Sequence, residues 1–368
     1  MIYRFILILI VLWSPVAVVG ETIVVEPGDI IVLAVNRAKA GDVIEVMPGE
    51  YRQNLDVRVA GVTVRGIEKD GKRVVLNGKY DDEAEPMNAG MWITADNVTV
   101  EGFTFENFAY IGVGVADCKD VTVRDVIVNG GMTAGVSVER AQRVTLDRIV
   151  AGNANDAAFS MGDASDCTLR NSEGFSSNTG LQLFNTELIR VENCGFYGNR
   201  LGVLVGLAPG PAVKPVRYTT ILRCRIVGNK GAAAANYTTT YRISNGMGVV
   251  GWGASHTEIA ECFIASNDTL GIATLAANEG GVRHLDKDAE RTGAASEHTY
   301  VHHNTYVNNG LAPAKTWETT FPGIPAGDLY WDGLGERNQF QETGDLRTYP
   351  AMLVVDHGGV HTNVIHFQ

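Results

Sequence analysis

Four residues in the second half of the chain could together transfer protons on a bound substrate. His256 is the predicted general acid or base, because the pKa of an imidazole lies near neutrality. Tyr241 is its predicted partner across a groove, and Lys214 or Arg217 is predicted to bind a substrate carboxylate. A histidine in a polar corner is more often a solvated turn residue, and that alternative stays open.

Seven further residues are predicted to bind the substrate. Phe184 and Trp252 offer aromatic faces on which sugar rings could stack. Others lie in long insertions, and loops on a rigid scaffold commonly carry function. The full predicted set is Phe184, Trp252, Gln182, Tyr237, Arg242, His284 and Asp286. The alternative is that a chain segment, such as the last twenty or so residues, covers the aromatic side chains.

A sequence pattern that returns every 20 to 24 residues indicates the elements that position these side chains. One copy reads GVSVERAQRVTLDRIVAGNANDA: two alternating apolar runs, a polar corner between them, and a turn rich in Asn and Gly. Alternation is typical of β-strands, and a repeat of this length indicates a solenoid. The predicted fold is an all-β parallel β-helix in which one copy forms one coil, with Val136, Val138, Val144 and Leu146 facing inward.

Equal spacing predicts that equivalent residues stack in ladders about 4.8 Å apart. An asparagine ladder of Asn199, Asn229, Asn267 and Asn309 is predicted to satisfy backbone groups at a turn. Cys194, Cys224 and Cys262 share a second phase and are predicted to be buried free thiols, because the cysteine count of five is odd. Charges of alternating sign recur at Arg124, Asp147, Arg170 and Glu192, which predicts mutual neutralisation rather than catalysis.

The ends of the chain differ from the repeats. Residues 1–20 combine one basic residue, an apolar stretch and small residues, which predicts a cleaved signal peptide and a periplasmic or secreted protein without a membrane span. The next segment, DIIVLAVNRAKAGD, has helical spacing and is predicted to cap the first coil. Residues 21–345 are assigned to the β-helix and 346–368 to a tail or lid.

Composition and histidine placement narrow the function classes. A net charge of -12 argues against nucleic-acid binding. All eight histidines lie from position 256 onward, which would suit metal handling. Neighbouring His302 and His303 are expected on opposite faces of a strand, however, so no metal site is predicted.

The chain resembles exported right-handed parallel β-helix repeat proteins of bacteria over roughly residues 22–345. The more specific marks are GVLVGLAPGPAVKP at 202–215, YVHHNTYVNNG at 300–310 and LYWDG at 329–333. The wider group includes pectate lyases, mannuronan epimerases and the copper-site maturation protein of nitrous oxide reductase. The resemblance implies a single-stranded right-handed solenoid, here expected to be a monomer.

The function that this resemblance implies is polysaccharide binding or processing, of the uronate lyase or epimerase class, with calcium as a candidate cofactor. In similar lyases one sheet forms the substrate floor and carries a basic residue. The corresponding rows in this chain hold no basic residue and one acid, Glu139, and the aspartate-proline-histidine-aspartate run of the epimerases is missing. A non-catalytic envelope or interaction protein and a periplasmic copper-handling protein are the alternatives.

Overall fold

Two long parallel sheets build the fold in a computed structural model of the chain. The structure describes residues 20–79, 85–130, 133–206, 216–231, 245–275, 296–315, 326–331 and 336–342, and only the backbone of 341–342, 352–354 and 364–367. The predicted signal peptide, apart from Gly20, lies outside these residues. No helix in the described part of the chain is long and apolar enough to span a membrane.

Within the described residues the front sheet has eleven strands, whose labels follow chain order. They are β4 (Leu55–Val57), β7 (Ala89–Ile93), β10 (Ile111–Ala116), β12 (Ala134–Glu139), β14 (Ala157–Gly162), β17 (Thr179–Phe184), β20 (Leu201–Gly206), β23 (Met247–Trp252), β26 (Leu270–Leu275), β29 (Gly327–Trp331) and β31 (Met352–Val354).

The back sheet has 21 strands in the described part of the chain, because most coils contribute two strands to it. They are β1 (Thr22–Val25), β2 (Val43–Val46), β3 (Gly49–Tyr51), β5 (Thr63–Gly66), β6 (Val74–Asn77), β8 (Thr99–Glu101), β9 (Phe103–Glu106), β11 (Lys119–Asn129), β13 (Gln142–Gly152), β15 (Ser165–Arg170), β16 (Glu173–Phe175), β18 (Glu187–Glu192), β19 (Gly195–Tyr197), β21 (Arg217–Leu222), β22 (Arg225–Val227), β24 (Ser255–Ala260), β25 (Phe263–Ala265), β27 (Tyr300–His302), β28 (Thr305–Val307), β30 (Gln339–Glu342) and β32 (Val364–Phe367).

A coil therefore has three strands where the sequence pattern predicted two. The second alternating run bends at a residue with left-handed backbone, such as Asn193 with φ 54° between β18 and β19. In β11 and β13 the bend at Asp125 and Arg148 lies within one continuous strand. Asparagine and aspartate tolerate this backbone region because their short polar side chains bond locally.

The interior of the solenoid is a continuous apolar core. Val136, Val138, Val144 and Leu146 are at most 1% exposed, which confirms the predicted inward positions. Helix α1 (Ile31–Arg37) buries Ile31, Ala34 and Val35 and contacts β1, β2 and β4, as expected of a cap on the first coil.

The predicted asparagine ladder is confirmed. Asn267 Oδ1 accepts the backbone N–H of Asn229 at 3.2 Å, and Asn309 Oδ1 accepts that of Asn267 at 3.1 Å. Asn199 N–H donates to Asn229 Oδ1 at 3.1 Å. The ladder fixes the turn that leads from the back sheet into the front sheet, and so positions the front strands.

The cysteine prediction is confirmed, and the strand register aligns the charged row of Arg124, Asp147, Arg170 and Glu192 as predicted. The predicted pairing holds in part, because Glu192 pairs with Arg190 and Arg223 rather than with Arg170. All five cysteines are buried free thiols. Asp147, whose side chain is 5% exposed, pairs with Arg170 at 3.1 Å, and Glu101 pairs with Arg65 at 2.5 Å and with Arg124. These rows are structural.

The described parts of residues 346–368 continue the solenoid. Strand β31 pairs with β29 in the front sheet, and β32 pairs with β30 in the back sheet. The two sheets therefore extend beyond residue 345, where the sequence pattern predicted a tail or lid. Neither strand lies over Phe184 or Trp252, which belong to β17 and β23, five and three strands away from β31 in the front sheet.

Candidate functional site

The outer face of the front sheet carries the two residue rows that the repeat predicted, and the strand register confirms both. The middle row is Gly114, Ser137, Ser160, Gln182, Leu204, Val250 and Ala273, and the last row is Ala116, Glu139, Gly162, Phe184, Gly206, Trp252 and Leu275. The face changes character along the stack: it is polar from β12 to β17 and apolar from β20 onward.

The apolar half of this face is buried. Its side chains form a cluster separate from the core: Leu201, Leu204, Met247, Val250, Trp252, Leu270, Ala273, Leu275 and Tyr330, with Phe184 and Ala326 partly buried at its edge. Trp252 is only 4% exposed. It therefore offers no open ring face, which corrects the prediction of a stacking platform at this position, whereas Phe184 remains partly exposed.

In the polar half, the buried side chains of Ser137 and Gln182 form hydrogen bonds to more exposed polar side chains. Ser137, 3% exposed, donates from Oγ to Glu139 Oε1 at 3.2 Å. Gln182, 5% exposed, donates from Nε2 to Asp156 Oδ2 and to Ser160 Oγ, both at 3.1 Å. Gln182 thus lies on the predicted outer row, but its side chain is buried and hydrogen-bonds to the neighbouring side chains of Asp156 and Ser160.

Asp156 precedes β14 and has an unusual electrostatic setting. Burial raises the pKa of its carboxyl, and hydrogen bonds from Gln182 and Asn178 only partly offset this effect. A carboxyl in this setting retains its proton to higher pH and can then donate a hydrogen bond to a ligand. The repeat gave no signal for it, because Asp156 lies before the strand rather than on an alternating position.

Aromatic rings flank the polar half at both ends. Trp92 on β7 lies across Gly114 of β10, so closely that a Cβ at Gly114 would sit 2.3 Å from the indole ring. Phe184 lies at the other end, four strands away. Gly162, between Glu139 and Phe184, faces open space. Trp92 is not among the predicted binding residues, because the outward rows predicted from the repeat begin at Ser137 and Glu139, two strands further along the sheet.

The cations near this face are already paired. Arg58 pairs with Asp56, which lies beside Trp92 in the middle row. Arg140 binds Asp117 through two hydrogen bonds of 2.7 and 2.9 Å, and its Nη1 lies 3.5 Å from Glu139. Among the described residues, this face therefore has no surplus positive charge with which to hold a polyanion.

His256 lies at the corner between the two sheets, beside the apolar half. It has φ 53° and belongs to a left-handed column that includes Tyr218 and His298. Its ring stacks on His298 with centroids 4.3 Å apart and contacts Tyr218 at 4.6 Å, and its Nδ1 lies 3.2 Å from Ser255 Oγ. These contacts occupy both ring faces, so the geometry matches a turn residue in a ladder.

Arg217 is exposed at the same corner, one coil before Ser255. The structure thus brings two of the four predicted catalytic residues, Arg217 and His256, to neighbouring coils. The other predicted site residues lie outside the described part of the chain: Lys214, Tyr237, Tyr241, Arg242, His284 and Asp286. No group of three or more metal-ligating side chains occurs in the part that the structure describes.

Comparisons with known proteins address the fold. A family model for the right-handed β-helix region matches residues 89–246. The structure is similar to the A-module of mannuronan C-5 epimerase AlgE4 from Azotobacter vinelandii, at 14% identity over 91% of this chain and 94% of that chain, with a TM-score of 0.55. The protein has the right-handed parallel β-helix fold.

Two other solved structures share this β-helix. DFA-IIIase from Arthrobacter chlorophenolicus A6, in complex with GF2, is 10% identical over 90% of this chain and 89% of that chain, with a TM-score of 0.56. The Dettilon tailspike protein is 12% identical over 92% and 70%, with a TM-score of 0.55. No curated protein matches the chain by sequence. At these identities the similarity shows a shared fold only, and the chemistry of this protein has to be argued from its own residues.

Proposed function

We propose that this β-helix protein is exported and binds a polysaccharide along the polar half of its front sheet, from Trp92 to Phe184. The observation that carries the proposal is the built polar surface between two aromatic rings, in which buried Ser137 and Gln182 hold Glu139 and Asp156 in place. Sugars are bound by such combinations, since ring faces pack on aromatic side chains and hydroxyls hydrogen-bond to carboxyl, amide and hydroxyl groups.

The dimensions and the similar proteins are consistent with an extended ligand. Trp92 and Phe184 are separated by four strand steps of about 4.8 Å, or about 19 Å in all. The similar structures include an epimerase of mannuronan and a DFA-IIIase, so the same scaffold positions carbohydrate in other proteins. A run of sugar units along the stack would contact successive coils in the same way.

The charge pattern of the polar half favours sugars without carboxylates. The exposed carboxylate of Glu139 would repel a polyuronate, and Arg58 and Arg140 already have carboxylate partners. We therefore propose a neutral, hydroxyl-rich ligand rather than a uronate polymer. A lyase or epimerase reaction would depend on Lys214 and Tyr241, which lie outside the described residues.

A binding experiment tests this function. The mature protein is titrated calorimetrically with a panel of neutral glucans, fructans and mannans and, in parallel, with alginate and pectate with and without calcium. We expect saturable binding of at least one neutral polymer and no ultraviolet absorbance from unsaturated products. Absence of binding to every polymer would favour the alternative of an envelope protein with a protein partner, which the buried apolar half of the front sheet also suits.

Export is part of the proposal and rests on the pattern of residues 1–20. Expression of the full chain in a bacterium, followed by fractionation and N-terminal sequencing, tests it. A mature protein that begins at residue 21 in the periplasm or medium is expected. An uncleaved cytoplasmic product would contradict export.

A further inference from the structure

The second segment of each back-sheet coil presents an outward surface that is separate from the front sheet. We call it the lateral face, and it comprises the last residues of β13 together with β16, β19, β22 and β25. The strand register aligns its outward side chains in two rows. The first row is Val150, Glu173, Gly195, Arg225 and Phe263, and the second row contains Phe175, Tyr197 and Val227.

Apolar side chains make up much of the lateral face. Tyr197 is 38% exposed, and its ring stacks on Phe175 with centroids 5.7 Å apart and an interplanar angle of 10°. The tyrosine ring also lies beside Gly195, because a Cβ at that glycine would sit 3.3 Å from it. Three further apolar side chains of the face are half-buried: Val150, Val227 and Phe263. Exposed apolar groups that lie together on regular strands are typical of a surface that contacts another protein.

Two opposite charges flank the centre of this face. Glu173 is exposed one coil before Gly195, and its carboxylate accepts a hydrogen bond from the Tyr197 hydroxyl. Arg225 is exposed one coil after Gly195, and its guanidinium carbon lies 4.8 Å from the centroid of the Phe263 ring. Among the described residues, neither charge takes part in an ion pair. The two stand about 9.6 Å apart, two strand spacings, which is too far for them to pair within one chain.

We propose that the lateral faces of two copies of this chain pack against each other in a two-fold symmetric dimer, with the axis parallel to β19 and above Gly195. Such an axis reverses the order of the coils, so each coil before β19 faces a coil after it in the second copy. Glu173 of one copy then meets Arg225 of the other, and the same pair forms a second time by symmetry.

The apolar side chains follow the same pairing. Phe175 faces Val227 of the second copy, and Val150 faces Phe263. The two Tyr197 rings meet at the axis, where Gly195 has no side chain to keep the sheets apart. Two sheets that pack face to face lie about 10 Å apart, which leaves room for these side chains to interdigitate.

A second copy is the partner that this pattern fits. An interface built on a two-fold axis has to be complementary to itself, so that residue i contacts residue j and residue j contacts residue i. The lateral face meets this condition because its acid and its base stand at equal distances on either side of a glycine. The dimer would replace the monomer that the resemblance implied. The polysaccharide surface lies on the front sheet outside this interface, so lateral-face variants should bind the polysaccharide as the wild type does.

The first test is analytical ultracentrifugation of the mature protein over a range of concentrations. We expect a reversible dimer. Arg225→Glu and Glu173→Arg should each raise its dissociation constant at least about tenfold, because like charges then face each other at two symmetric positions. The double variant should restore the dimer, since each pair forms again with its charges exchanged. Arg190→Glu is the control, because Arg190 is an exposed arginine of the same coil that lies on β18, before the bend at Asn193.

The second test places a thiol at the axis. Gly195→Cys should form a covalent dimer when it is treated with oxidised glutathione, and the five native cysteines do not interfere because they are buried. Gly162→Cys, at a position on the front sheet that faces open space, should stay uncrosslinked. Circular dichroism establishes that each variant is folded. A wild type that is monomeric at every concentration, a folded double variant that stays monomeric, or equal cross-linking of both cysteine variants would overturn the proposal.

Discussion

Replacing Asn267 by alanine should destabilise the solenoid more than any exposed asparagine substitution. Asn267 is fully buried, and its side chain makes four hydrogen bonds. Its Oδ1 accepts from the backbone N–H and Nδ2 of Asn229, and its Nδ2 donates to the Ile226 carbonyl at 3.1 Å and to Asn309 Oδ1 at 2.9 Å. Alanine leaves the Asn229 N–H and the Ile226 carbonyl without these partners, in a turn that water does not reach.

Each buried group that loses its partner costs about 1–3 kcal/mol, so the two backbone groups together give about 4 kcal/mol. The assay is urea denaturation followed by tryptophan fluorescence. Asn308→Ala is the control, because Asn308 is exposed and has left-handed backbone with φ 55°. Alanine in that conformation costs about 1–2 kcal/mol. If Asn267→Ala lowered the free energy of unfolding no more than Asn308→Ala, the structural role of the ladder would be refuted.

Three further predictions concern charge and thiols. Asp147→Ala should lower the free energy of unfolding by about 3 kcal/mol in urea denaturation, because Asp147 pairs with arginines at a buried position. Asp125→Asn removes the charge of an exposed ion pair but keeps a side chain that tolerates the left-handed backbone of this position, so it should cost under about 1 kcal/mol. All five cysteines are buried, so a thiol reagent at pH 7 should label them only after denaturation. Burial also raises the pKa of Cys118 and Cys167 to about 11, which slows their reaction further. Rapid labelling of the native protein would contradict their burial. Because burial raises the pKa of Asp156, the wild type loses stability as the pH rises through that pKa. Asp156→Asn should therefore raise the melting temperature above that of the wild type at pH 7 but not at pH 3. An equal effect at both pH values would contradict the raised pKa.

The sequence predicts the fold well because a fixed repeat sets the strand register. Once the copies are aligned, every residue has a neighbour one coil away, and the asparagine, cysteine and charge ladders follow. The third strand of each coil is missed, since its start is marked only by one residue of left-handed backbone. The same backbone change at His303, with φ 53°, brings the Nδ1 atoms of His302 and His303 to 2.8 Å, so the expectation that these side chains point to opposite faces is wrong.

The candidate site is predicted less completely, because alternation shows which face a side chain takes but not what covers it. Trp252 is correctly placed on the outer face, yet it is buried in an apolar cluster. Asp156 lies outside the alternating run and becomes visible only through its contact with Gln182. The sequence pattern does not indicate this hydrogen bond between side chains of adjacent coils.

The central claim is that the polar half of the front sheet binds a polysaccharide, and one comparison of dissociation constants tests it most directly. The neutral polymer that binds the wild type is titrated into Trp92→Ala, Glu139→Gln and, as control, Tyr197→Ala. Tyr197 is an exposed aromatic residue on the back sheet, stacked on Phe175.

We expect Trp92→Ala to weaken binding about tenfold or more, because a lost aromatic contact costs about 1.5 kcal/mol or more. Glu139→Gln should also weaken binding, since a hydrogen bond to a charged carboxylate is stronger than one to an amide. Tyr197→Ala should bind as the wild type does. Binding that is unchanged in both front-sheet variants, or is lost only in Tyr197→Ala, would contradict the placement of the ligand on this surface.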